Sequence, residues 1–79
     1  MKFTKWLETF IKEKGIDLEE TFTVEKTQTN FMSYGVIVEA IKKTCKEEQK
    51  AIKNMLVKID FFNGDVKDYF RHLAVAIAI

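Results

Sequence analysis

Three sets of side chains in this sequence have types and spacings that can do chemistry. The first is a pair. The only histidine, His72, follows Asp68 by four residues. On a helix that spacing stacks the two on one face, where the carboxylate can orient the imidazole as half of an acid–base device. The same spacing describes an ordinary solvent-facing helix pair. No serine stands where such a base would activate it, because Ser33 is better used as a helix cap. The pair is therefore read as a surface contact.

The second is Cys45, which follows Thr44 at the expected start of a helix. A helix N-terminus lowers a thiol pKa and favours the reactive thiolate. No other cysteine exists to resolve a disulfide, and the position suits burial beside Ile41, so the residue is read as structural. One cysteine and one histidine do not supply the three or four ligands of a zinc site, and no metal is expected. Glu19–Glu20 and Glu47–Glu48 are adjacent rather than facing, and read as helix-starting carboxylates. Glycines 15, 35 and 64 stand alone and match no phosphate-binding fingerprint. No catalytic residue, cofactor or small-molecule substrate is assigned, and the chain is not read as an enzyme.

The third set is a stripe of cations. Lys46, Lys50 and Lys53 recur at helical spacing opposite Ile52, Met55 and Ile59, with Lys42 and Lys43 just upstream. Such a stripe can hold phosphates. It contains no arginine for bidentate base readout and no aromatic side chain to stack a base. Glu47 and Glu48 dilute its field. A solvated face is the preferred reading, and a nucleic-acid-associated accessory protein of the kind mobile elements encode is the alternative.

Positioning these residues requires helices, and the periodicity supplies about four short ones. Phe3, Leu7, Phe10 and Ile11, with Trp6, mark an amphipathic first helix. Lys12 and Lys14 suit its last turn, and Gly15 its left-handed end, with Ile16 folding back on Ile11. Asp17 and Glu20 frame a short turn. Residues 21–25 then alternate with period two and read as an extended segment that needs a pairing partner. Lys26 to Asn30 is turn-like. Ser33 caps a second helix with Tyr34, Ile37, Val38 and Ile41 on one face. Thr44 and Glu47 form a capping box for a third, whose apolar face is Ala51, Ile52, Met55, Leu56 and Ile59. Gly64 closes it. Asp65 and Asp68 open a fourth, carrying Val66, Tyr69, Phe70, Leu73 and Ile77. A hairpin is the competing reading for residues 56–70, with Asn63–Gly64 as its tight turn. It would point Asp68 inward and waste the four-residue period through Ile77.

Seventy-nine residues, 47% hydrophobic and 32% charged, make one small domain spanning 1–79 with enough apolar surface to fold. The fold class expected is mostly α: a compact bundle of about four short helices with one extended segment. Thirteen basic and twelve acidic residues leave a net charge of +1, so the whole molecule has no electrostatic pull toward nucleic acid or membrane. The longest uncharged apolar run, Leu73 to Ile79, is too short to cross a bilayer. The first residues lack the apolar core of a signal peptide, and a lone cysteine suits a reducing compartment, so a cytoplasmic location is expected. Twelve lysines against one arginine suggest an A/T-rich, plausibly bacterial genome.

One surface stands out. On the fourth helix Val75 and Ile79 project from the side opposite Phe70, Leu73 and Ile77. One flat contact cannot bury both sets, so the outer pair is a candidate protein interface. The function expected is a small interaction or regulatory module, self-associating through its C-terminal helix or binding another protein.

Overall fold

The computed structural model describes residues 2–24 and 30–77. Its elements run α1 (Phe3–Lys14), β1 (Thr21–Val24), β2 (Asn30–Ser33), α2 (Tyr34–Lys42), α3 (Lys46–Phe61) and α4 (Val66–Ile77). The mostly α expectation holds, with a second strand added to it. Among the described residues no helix is long and apolar enough to cross a membrane.

α1 buries Leu7, Phe10 and Ile11. Trp6 stacks between Phe3 and Phe10, at centroid distances of 6.1 and 5.2 Å. The helix stops at Gly15, whose φ of +68° is the left-handed conformation. Gly15 N–H donates to the Lys12 carbonyl and Ile16 N–H to that of Ile11, which is the Schellman pattern. The Asp17 carboxylate then accepts from the Glu19 amide at 2.9 Å and shapes the turn into β1.

β1 pairs antiparallel with β2, Thr21 opposite Ser33 and Val24 opposite Asn30. The extended segment thus finds its partner within the chain. Asn30, turn-like in the sequence, joins β2 instead, and Phe31–Met32 carry too short a pattern to announce a strand. Residues 25–29, including most of the expected turn, lie outside the described residues. Val24 is buried, while Phe22 and Met32 pack half-buried against the core.

The Ser33 hydroxyl accepts from the Val36 amide and caps α2 as expected. α2 buries Tyr34, Ile37, Val38 and Ile41. Gly35 is needed where α2 meets the turn before β1. Its N–H donates to the Leu18 carbonyl at 2.8 Å, and a Cβ there would sit 3.0 Å from that oxygen.

Three sequence expectations for the middle of the chain are corrected. The Thr44–Glu47 capping box does not form. The Thr44 hydroxyl donates instead to the Ile41 carbonyl at 2.7 Å and closes α2, while Gln49 donates to the Lys42 carbonyl. A Thr hydroxyl reaches an upstream carbonyl as readily as a downstream amide, and here the end of α2 has the prior claim. Cys45 becomes the N-cap of α3 without a side-chain cap bond, and is exposed rather than buried beside Ile41. The apolar face of α3 is also narrower than its periodicity implies. Ile52 and Leu56 are buried, but Ala51 and Met55 face outward. α3 packs mainly against α1 and α4, so one stripe suffices to cover it.

α3 ends in a second Schellman turn. Asn63, not Gly64, takes the left-handed conformation at φ 57°. Asn63 N–H donates to the Asp60 carbonyl and Gly64 N–H to that of Ile59 at 2.7 Å. Gly64 is required for closeness: a Cβ would fall 2.8 Å from Ile59 Cγ2. The Asp65 carboxylate accepts from the Lys67 and Asp68 amides and caps α4. The hairpin alternative is not adopted. α4 buries Phe70 and Ala74, with Val66, Tyr69 and Leu73 half-buried beside them.

The core is one cluster, centred on the fully buried Leu7, Tyr34, Ile37, Ile41, Leu56 and Phe70. Each such side chain contributes roughly 1.5–3 kcal/mol by leaving water. Tyr34 sits at its middle, against Phe22 at 4.8 Å and edge-on to Phe70 at 6.5 Å.

Candidate interaction surface

The His72–Asp68 pair is on the outside of α4. His72 Nδ1 is 3.6 Å from Asp68 Oδ2, and the imidazole side chain is 73% exposed. Asp68 is shared with Arg71, whose Nη2 lies 3.3 Å from Oδ1. Arg71 is the busier residue. It also donates to the Tyr34 hydroxyl at 3.1 Å and approaches Asp65 at 3.6 Å, so the chain's one arginine ties α4 to the buried tyrosine and to its own N-cap. Sequence reasoning passed over it; its spacing of three from Asp68 and six from Asp65 was the available signal.

Ion pairs elsewhere fasten elements together. Lys42 bridges Glu8 of α1 at 3.1 Å and Glu39 of its own helix at 3.3 Å. Lys67 reaches Glu20 at 3.1 Å, and Lys14 pairs with Asp60. Lys42 is held protonated above its usual range, chiefly by its hydrogen bond to Glu8. Lys67 is raised by Glu20, and Tyr69 by burial. These shifts run away from neutrality, whereas a group poised for proton transfer is brought toward it. Among the described residues no three His, Cys, Asp or Glu side chains group to hold a metal ion.

The lysine stripe is broken up by packing. Lys46 and Lys50 are exposed. Lys53 is half-buried and folds back over Trp6, its ammonium 5.2 Å from the ring centroid. Lys42 is engaged by its two glutamates. What remains free on this side of α3 is a pair of cations rather than a row.

The apolar surface is more extensive than the sequence reading placed it. Val75 is 37% exposed, on the outer side of α4 as expected; Ile79 lies outside the described residues. The larger feature is at the opposite end of that helix. Phe61 and Phe62, at the end of α3, are 78% and 69% exposed. Their rings stack edge to face on each other at 5.1 Å. Val57, one turn before Phe61 on the same face, is also exposed. At about 100° per residue Phe61 falls with Val57 on the side of α3 away from Ile52, Leu56 and Ile59, and this was the sequence signal for the patch. A second apolar region is a groove of about 730 Å³ along α2, lined by Leu18, Val36, Val38 and Ala40, with Glu39 and Lys43 at its rim.

No known protein family, curated protein or solved structure matches this chain.

Proposed function

We propose that the protein is a small binding module for another polypeptide, without catalysis of its own, and that the Phe61–Phe62 tip with Val57 is its principal docking surface. The observation that carries this reading is the exposure of two adjacent phenylalanines whose rings meet edge to face. Large aromatics left in water at a rigid helix end lose their hydration cost when a partner covers them, and such residues dominate binding energy at interfaces. The Schellman turn and the Asp65 cap hold the tip in a fixed shape, so little ordering entropy is spent on docking. Self-association is the simplest form of this reading, and Val75 offers a second contact for it on α4.

The test is sedimentation over a wide concentration range, joined to site-specific photo-crosslinking in the native host from the neighbouring exposed position 58. A Phe61→Ser/Phe62→Ser variant should stay folded by circular dichroism and lose the self-associated species or the crosslinked adduct. Val75→Asp measured alongside it separates the two ends of α4. A parent that is monomeric throughout and forms no adduct dependent on Phe61 and Phe62 refutes the proposal. The nucleic-acid reading has less to stand on, since only Lys46 and Lys50 of its three lysines remain free at the surface.

A further inference from the structure

The turn between α3 and α4 contains a covalent weak point. Asn63 is exposed and is followed by Gly64. The side-chain amide carbon of an asparagine lies within ring-closing reach of the next backbone nitrogen. Glycine, lacking Cβ, leaves that nitrogen most accessible and most free to turn toward it. Attack of the Gly64 nitrogen on Asn63 Cγ forms an N–C bond and breaks the Cγ–Nδ2 bond. The attacking nitrogen gives its proton to water or hydroxide, and Nδ2 departs as ammonia. The five-membered succinimide then takes up one water. Opening on one side gives aspartate; opening on the other gives isoaspartate, with the main chain routed through Cγ. The sum is hydrolysis of an amide, and water is the only co-reactant.

The folded turn opposes the first step. The Gly64 N–H that must be lost donates to the Ile59 carbonyl at 2.7 Å. This is the outer bond of the Schellman turn, and it has to open before the nitrogen can attack. The Asn63 backbone is meanwhile held in the left-handed conformation at φ 57°. The other two asparagines precede bulky residues: Asn30 stands before Phe31, and Asn54 before Met55 in the interior of α3.

We propose that Asn63 is a site of spontaneous deamidation gated by opening of the α3 C-terminal turn, and that its isoaspartate product disables the aromatic tip. Isoaspartate adds a methylene to the main chain at the residue of this turn that must be left-handed, so the two Schellman bonds cannot both re-form. The product also places a carboxylate beside Phe62 at the negative end of the α3 dipole, where an anion is unfavourable. The consequence for the tip rests on the docking reading above; the modification itself does not.

Native protein and protein unfolded in urea would be aged side by side at mildly alkaline pH. Peptide mapping and isoaspartyl methyltransferase labelling then read the products at each asparagine. In urea Asn63 should react ahead of Asn30 and Asn54. In the native protein it should react at least about tenfold more slowly, as for a turn open about a tenth of the time or less. Asn63→Gly, which keeps a residue suited to the left-handed position, should give no label there. Absence of product at Asn63 in urea overturns the site, and equal rates in the two states overturn the gate. The purified isoaspartate form, put through the sedimentation and crosslinking assays, should lose the Phe61- and Phe62-dependent species. Aged protein that still docks overturns the consequence for the tip. If unaged protein never docks, the docking reading has failed instead, and the labelling result stands independently.

Discussion

Replacing Gly15 with alanine isolates a single physical effect. At φ +68° an L-alanine is in the left-handed region, which costs roughly 1–2 kcal/mol because its Cβ crowds the backbone. Nothing lies within 4 Å of the Cβ that would be added, so no packing clash adds to this. Alanine also restricts the unfolded chain, which returns about 0.4–1 kcal/mol. The net expectation for Gly15→Ala is a loss of about 1 kcal/mol, or a fall of roughly 4–8 °C in melting temperature for a domain of this size. The chain is short enough for chemical synthesis, which allows the mirror experiment. D-alanine at position 15 favours positive φ, meets the same open space and restricts the unfolded chain equally. It should therefore stabilise by about 0.4–1 kcal/mol. Thermal and urea denaturation of the three proteins decide the matter. If the L-alanine protein is as stable as the parent, α1 does not end on a left-handed residue. If the D-alanine protein is destabilised, the space around position 15 is not open.

Asp65→Ala should cost about 1 kcal/mol in urea denaturation, because the carboxylate caps the amides of Lys67 and Asp68, and Asp65→Asn should recover most of it. Changing Lys46, Lys50 and Lys53 together to Gln should lower stability only slightly, through loss of the Lys53–Trp6 contact, worth about 0.5–1 kcal/mol. Nucleic-acid binding measured by anisotropy near physiological salt should be weak for both proteins; tight parental binding that the variant loses, with a smaller salt slope, would promote the nucleic-acid reading. Stability should fall at alkaline pH. Lys42, Lys67 and Tyr69 all have folded pKa values raised above their ordinary 10.5, 10.5 and 10.0, so the fold favours their protonated forms. That contribution is complete below the unfolded values and is lost as pH rises through the folded ones, so the urea midpoint should hold from neutrality to about pH 9 and decline above pH 10. A midpoint that rises above pH 10 would contradict the assigned hydrogen bonds of Lys42 and Lys67.

Local signals identified most of the elements. The caps at Ser33 and Asp65, the stop at Gly15 and the helical faces of α1, α2 and α4 each depend on residues within a turn or two of one another. That range is what a linear pattern records. The same reach explains why the helical reading of residues 56–70 could be preferred over a hairpin: the four-residue period continues past the Asn63–Gly64 turn. Where two local uses of one group compete, the pattern is silent on which wins. Thr44 could cap α3 or close α2, and the end of α2 takes it. Asn63 and Gly64 could each take the left-handed position, and it is Asn63 that takes it.

The surface was decided by tertiary contacts. Whether Lys53 joins a cationic row or covers Trp6 depends on α1 lying against α3, a relation between residues almost fifty positions apart. Whether β1 is an open edge depends on β2, and whether Arg71 is free depends on Tyr34 presenting its hydroxyl through the core wall. Composition and periodicity determined that this chain folds as a small helical bundle and which stripes turn inward, because burying apolar area is additive and local faces suffice to predict it. Which apolar side chains stay in water is a property of the whole assembly. Phe61 and Phe62 are exposed while Ile52 and Leu56 of the same stretch are buried, and only the packed structure sets which of them the neighbours cover.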